Sequence, residues 1–428
     1  MPDARSLHNS YPTATSSHPL PGAAIPHSAR PPTEGRGPPP VPYRNYAEHP
    51  TSSSTQQVHT ANGSVVSTRA NGSRAEIHDA HRGMDIHYGV NGNRHVVTER
   101  VDHSRIVVER VGHGYAQHPY VFRGRELAQR TYWDRGHETV RYYARYPYHG
   151  MSLEVYAPVR FHFVGFYGWV YTPWAAPVHY VWGWRGSPWY GRYTYYFTPY
   201  PAYANATLWL TDYLIADALQ AAYAAQVRAQ LGEGAEASGL SPEVKQEIAD
   251  EVTQEVQQEA AAARANASNS QGIPDEGGIA VLLSDGRSHV FMSGSDVSAL
   301  GGGDEECVVG PGDVVEVRAA PYPGSQVVNA TVVASKGGKD CAPGSAVRIA
   351  LPDLQEMQNY MRQTVDQGMT DLQTKQGTGN LPAAPAGAIG TSADAGFVAN
   401  APPPDANAGA EIAAQASEAD QAERENNE

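Results

Sequence analysis

VYAPVRFHFVGFYGWVYTPWAAPVHYVWGWRGSPWYGRYTYYFTPYPAY, residues Val155 to Tyr203, is the stretch on which a reading of the chain turns. Trp169, Trp174, Trp182, Trp184, Trp189 and, just beyond it, Trp209 make six of the seven tryptophans. Pro158, Pro173, Pro177, Pro188, Pro199 and Pro201 forbid a long helix and interrupt central strands, so extended chain with turns is expected. Tyr and Trp bury large areas with few rotatable bonds and keep a polar end that tolerates water. The first expectation is therefore an aromatic layer packed over a neighbouring sheet. The second is an exposed platform for a glycan or another protein chain, and the third is seating at a membrane interface. The rings offered for binding are Trp169, Trp174, Trp182, Trp184 and Trp189, with Arg185. Trp182, Trp184 and Trp189, flanked by glycines and Arg185, are the best placed to remain at an edge.

Before this stretch, residues 61–150 read as short runs of β-branched and aromatic residues broken by turn signals. Asn62-Gly63, Asn71-Gly72 and Asn91-Gly92 are expected to form type I′ hairpin turns. Turn signals about every 8–12 residues predict an antiparallel β-meander. VVSTRANGSRAEI, YGVNGNRHVVTERV and DHSRIVVERV are loosely similar. Val96, Thr98 and Arg100 face one way and Val97, Glu99 and Val101 the other, so neither face is cleanly apolar and a thin sheet wetted on both sides is expected.

After it, Thr207 is placed to cap an amphipathic helix that completes residues 151–232, with Asp212 and Asp217 on its solvated side. Residues 241–265 form a charged helix opened by Ser241-Pro242. Its narrow stripe of Val244, Ile248, Val252 and Val256 should rest on a domain, while Lys245, Glu247, Asp250, Glu251, Glu255 and Glu259 face water. Residues 277–376 read as a small β-barrel or roll followed by a helix. Two of its strands are expected around Asp285-Gly286, and Leu354, Met357, Met361, Val365 and Leu372 line the helix, which Gly368 weakens. Residues 1–60, Pro/Ser-rich, and the acidic tail 377–428 are expected to be disordered. The fold class is thus α+β, mainly β, with an aromatic-rich layer, connecting helices and disordered termini.

Across its 428 residues the chain has a net charge of −14, which argues against nucleic acid as a partner. The signs are segregated: Arg82 to Arg192 carries mostly arginine and acid collects after Glu233. Cys307 and Cys341 match neither a redox nor a zinc spacing, so a disulfide and an oxidising compartment are expected. No signal peptide is visible at Met1, and no apolar run is long enough for a transmembrane segment.

No phosphate loop, zinc-protease motif or nucleophile elbow is found, so no catalytic residue and no cofactor is assigned. His113, His118, His137, His149, His162 and His179 fit no ligand spacing, and no metal site is expected. FYGWVYTPW, VWGWRGSPWYG, ATLWLTDYLIADALQAAY, SPEVKQEIADEV, VVASKGGKDC and LPDLQEMQNYMRQTVDQGM resemble a family of Tyr/Trp-rich bacterial proteins, often exported and without an established activity. The resemblance spans roughly Gly124 to Leu381 and implies an extracytoplasmic place: periplasm, cell envelope or outside the cell. The leading expectation is a non-enzymatic envelope or surface protein that binds a polysaccharide or another envelope protein. The alternative is a hydrolase acting on cell-wall glycan, whose carboxylates would come from Glu126, Asp134, Glu138 and Glu154.

Overall fold

The β-branched runs between Asn, Asp and Gly turns become ten consecutive strands of one antiparallel sheet. These are β1 (Gln56–His59), β2 (Val65–Thr68), β3 (Arg74–Asp79), β4 (Met84–Tyr88), β5 (Arg94–Glu99), β6 (Arg105–Arg110), β7 (His113–Phe122), β8 (Arg125–Asp134), β9 (His137–Tyr148) and β10 (Met151–Ala157). Each pairs with the next in sequence, so the meander is as expected. The computed structural model describes residues 50, 52–110, 112–134, 136–148, 151–229, 239–269, 278–337 and 340–426. Most of the N-terminal segment expected to be disordered lies outside these residues; at its end the expectation is corrected, since Gln56–His59 pairs as β1.

The hairpins explain the loose internal similarity. Thr60–Ser64, Arg69–Ser73, Gly89–Asn93 and Arg100–Ser104 close in the same way: the first residue's N–H donates to the last carbonyl, and the fourth residue's N–H donates back to the first carbonyl. These are three-residue loops with the fourth residue left-handed, a role taken by Gly63, Gly72, Gly92 and His103. The expected type I′ turns are corrected accordingly. In each loop an Asn or Asp side chain (Asn62, Asn71, Asn91, Asp102) accepts from the N–H two residues on, at 2.9–3.0 Å.

Register then lines up an apolar row across one face. Val66 pairs with Ile77, Ile77 with Ile86, Ile86 with Val96, and Val96 with Val108. This face is not wetted: α7 (Ala408–Glu425) covers it with Ile412, Ala419 and Ala422. The acidic tail expected to be disordered is thus corrected at this helix. Its acids meet the meander's arginines, with Arg94 2.6 Å from both Asp420 and Glu423, and Arg100 and Arg82 each 2.9 Å from Glu411 and Glu425. On the opposite face Val97, Val107 and Tyr115 cluster beside Tyr132.

The chain continues through β11 (Arg160–Phe161), α1 (Val164–Tyr171), a 3-10 turn at Gly183–Gly186, α2 (Pro188–Tyr193), α3 (Ala206–Ala229) and α4 (Pro242–Asn269). The proline-rich stretch therefore holds short helices, each fitted between prolines, rather than extended chain alone. Asn205, not Thr207, caps α3, its Oδ1 accepting from the Leu208 N–H at 3.1 Å. Next come α5 (Ile279–Leu282), β12 (His289–Met292), β13 (Val297–Gly301), β14 (Glu306–Val309), β15 (Val314–Val317), β16 (Val327–Ala334), β17 (Ala346–Ala350), α6 (Leu351–Lys375) and β18 (Ala393–Asp394). β12 to β17 form an antiparallel sheet in the order β12-β15-β16-β17-β13-β14. It stays open, so the barrel form of the expectation is not adopted, and residues 279–282 are helical where a strand was expected. Cys307 and Cys341 are joined as expected. The bridge closes a loop whose ends are 34 residues apart, worth about 4 kcal/mol in the chain-entropy model.

α3, α4, α6, the aromatic stretch and both sheets share one apolar core. Gly368, read as a weak point of α6, marks its closest approach to α3: a Cβ there would lie 2.7 Å from the Leu210 side chain. Among the described residues no helix is long and apolar enough to cross a membrane.

Candidate functional site: an aromatic core with an open edge, beside a buried polar seam

The rings expected to bind are mostly core. Trp169, Trp182 and Trp189 are buried, Trp174 and Trp184 are half-buried, and only Arg185 is exposed. Trp184, Trp182, Trp209 and Tyr213 stack in succession at centroid distances of 5.3, 4.8 and 5.5 Å, with interplanar angles of 23°, 21° and 28°. The Trp209 Nε1 is buried without a partner, but the polar end of Trp182 is satisfied through a chain. Trp182 Nε1 donates to the Tyr203 hydroxyl and Tyr203 donates to Asp212 Oδ2, each at 2.6 Å, while Asp212 Oδ1 lies 2.7 Å from Lys245 Nζ.

Asp212 is fully buried, which corrects its expected place on a solvated face; Asp217 is exposed and accepts from Tyr360 at 2.8 Å. Burial pushes the Asp212 carboxyl up and the Lys245 ammonium down, and each ion opposes that shift in its partner. Lys245 Nζ also sits 3.6 Å from the Tyr200 ring centroid.

At the end of the ring stack the layer opens. Trp184 contacts Trp189 and Tyr190 at 5.1 and 4.9 Å, and Val181 and Arg185 beside it are exposed. A side chain built at Gly183, Gly186 or Gly191 would meet nothing within 4 Å, so the backbone around Trp184 faces open space.

The second cluster was not legible in the charge pattern. α4 is buried on two sides: Val244, Ile248, Val252 and Val256 are apolar core as expected, but Lys245, Glu251, Glu255 and Glu259 are buried as well. Glu251 pairs with buried His289 at 2.9 Å, and Glu255 lies 3.2 Å from Arg362 of α6. Glu259 accepts from the Tyr167 hydroxyl at 2.6 Å. Beside it lie His162, after β11, and Asp366 on α6; one ligand-type atom from each of the three lies within 4.8 Å of the others. Asp366 accepts from the Tyr156 hydroxyl at 2.7 Å, and His162 Nδ1 lies 3.0 Å from Gln373 Oε1. A small cavity lined by Tyr156, Pro158, Glu255, Glu259, Arg362 and Val365 adjoins the cluster.

The four carboxylates considered for hydrolysis do not share that environment. Glu154 is buried among arginines, bonded to Arg105, 2.7 Å from Arg130 and 3.4 Å from Arg145, and accepts from Gln117 at 2.9 Å. Burial pushes its pKa up, but the three guanidiniums outweigh that and hold it down at about 2. Glu126, Asp134 and Glu138 are exposed. Of the histidines read as scattered, His113 pairs with Asp134 and His118 with Asp405, at 2.9 and 2.8 Å. His149 lies outside the described residues. No family model, no curated protein and no solved structure matches this chain.

Proposed function

We propose that the protein is a non-enzymatic binding or scaffolding protein of an oxidising, extracytoplasmic compartment, and that it contacts a polysaccharide or a protein partner through the edge around Trp184. The observation that carries this reading is the placement of Trp184. It is half-buried, held by a stack of rings behind it, and bordered by exposed Val181 and Arg185. A ring fixed in this way loses little conformational freedom on binding, which is what makes rigid aromatic anchors effective. Arg185 adds hydrogen-bond donors that suit sugar hydroxyls or carboxylates. The disulfide and the resemblance to exported Tyr/Trp-rich bacterial proteins support the compartment.

The reading is tested by titrating the protein with envelope polysaccharides and following tryptophan emission. Binding should quench or shift the emission. Trp184→Ala and Arg185→Ala should each weaken binding about tenfold or more while leaving the protein folded, the loss expected of an anchor residue. Unchanged affinity in both variants would exclude this edge. Failure of every polysaccharide would leave only the protein-partner form, tested by the same variants in a pull-down from envelope extract.

A further inference from the structure

We infer that His162, Glu259 and Asp366 form a binding site for one divalent transition-metal cation, buried where α4, α6 and the chain entering α1 meet. The donors come from three separate elements, and the fold brings their ligand atoms within 4.8 Å of one another. A cation about 2.0–2.2 Å from nitrogen and oxygen donors needs them about 3–3.5 Å apart, so closure takes side-chain adjustments on the order of an ångström.

The atoms around the donors are arranged as a metal's outer shell is. Gln373 Oε1 can only accept, so the contact at 3.0 Å places the proton on His162 Nδ1 and leaves Nε2 with its lone pair. Tyr167 donates to one oxygen of Glu259 and Tyr156 to one oxygen of Asp366. Among the described residues the second oxygen of each carboxylate, and His162 Nε2, have no hydrogen-bond partner, so each residue has one atom fixed and one atom free to coordinate. His162 and Glu259 are only 7% and 8% exposed, so little water reaches these free atoms.

Charge and space agree with this assignment. Arg362, the cation on this part of α6, lies 3.2 Å from Glu255 and balances that carboxylate. Arg362 also acts on Glu259 from a distance, but among the described residues neither Glu259 nor Asp366 is ion-paired to a cationic side chain. The small cavity beside the cluster, which Glu259 also lines, lies next to the position a further ligand would take. Imidazole with two carboxylates and no thiolate favours Zn²⁺, Mn²⁺ or Fe²⁺ over Ca²⁺, Mg²⁺ or Cu⁺.

The test uses the full-length protein stripped with a chelator and titrated calorimetrically with ZnCl₂, MnCl₂ and CaCl₂, with melting followed in parallel. One tight equivalent of Zn²⁺ or Mn²⁺ and a raised melting temperature are expected. Glu259→Gln and Asp366→Asn should each lose that equivalent, while any weak binding by surface histidines persists. Gln373→Ala, which removes only the orienting partner, should fold normally and weaken the tight equivalent about tenfold. If the ligand variants do not fold, a Co²⁺ titration of Gln373→Ala serves instead: its visible bands should saturate at about tenfold higher Co²⁺ than in the native chain, and an unchanged saturation would overturn the site. Two further results would overturn the site: retention of the tight equivalent by a folded Glu259→Gln or Asp366→Asn, or no saturable equivalent in the native chain. The second result would assign the cluster to a proton shared by the two carboxylates.

Discussion

Glu154 shows how far a single residue's role departs from its sequence context. In the sequence it is one acid among aromatic residues; in the fold it is the anion that lets Arg105 and Arg130 be buried. A carboxyl whose folded-state pKa is depressed stabilises the protein above its unfolded value and loses that contribution as pH falls through the folded one. Moving from 4.5 to about 2 is worth about 3 kcal/mol, present above pH 4.5 and lost toward pH 2. Glu154→Gln should cost about 3–5 kcal/mol at neutral pH because it leaves the guanidiniums uncompensated. Denaturant melts of both proteins from pH 7 to pH 2 check this. The variant should show a shallower acid loss than the parent, and equal slopes would contradict the assignment. Asp212 and Lys245 belong with Glu154 among the residues that could not be read in advance. Nothing local distinguishes a charged residue that will face water from one whose partner arrives from a distant element.

Among the elements, most strands of the meander and the helices α3, α4 and α6 were legible because they rest on local signals: turn residues, the Ser241-Pro242 start of α4, and the apolar spacing of α3 and α6. α4 was only half legible, and α7 was read as disordered tail. α4 carries a narrow aliphatic stripe, which predicts one buried side, yet Glu251, Glu255 and Glu259 recur one turn apart and are buried by His289, Arg362 and Tyr167. α7 is rich in Ala, Glu and Gln and has few large apolar residues, the composition of a solvated tail. It folds against the meander because Ile412 and a row of alanines fit its apolar row and its acids reach the arginines. Gly409 helps the approach, since a side chain there would meet the Trp133 ring at 2.6 Å. Ile412 is 1% exposed, so Ile412→Ala should destabilise the protein by about 2–5 kcal/mol. Denaturant unfolding is the measurement, and no change in the midpoint would mean that α7 does not cover the sheet.

For the whole molecule, the segregation of charge that is visible in the composition acquires a structural meaning. Arg82, Arg94 and Arg100 of the arginine-rich part meet acids of α7 within one chain. The aromatic stretch likewise serves the interior first. It fills the space between the meander, α3 and α4, and the ring stack has buried Trp209 and Trp182 at its middle and half-buried Tyr213 and Trp184 at its ends. Two neighbouring tryptophans that look equivalent in VWGWRG therefore differ: Trp182 is buried in the core and Trp184 forms its edge. Denaturant unfolding of Trp182→Ala and Trp184→Ala side by side tests this most directly. Trp182→Ala should cost about 3–5 kcal/mol, as large aromatic truncations in a core do, and Trp184→Ala less than half as much. Equal losses, or a Trp182→Ala protein as stable as the parent, would contradict the division of the stretch into core and edge.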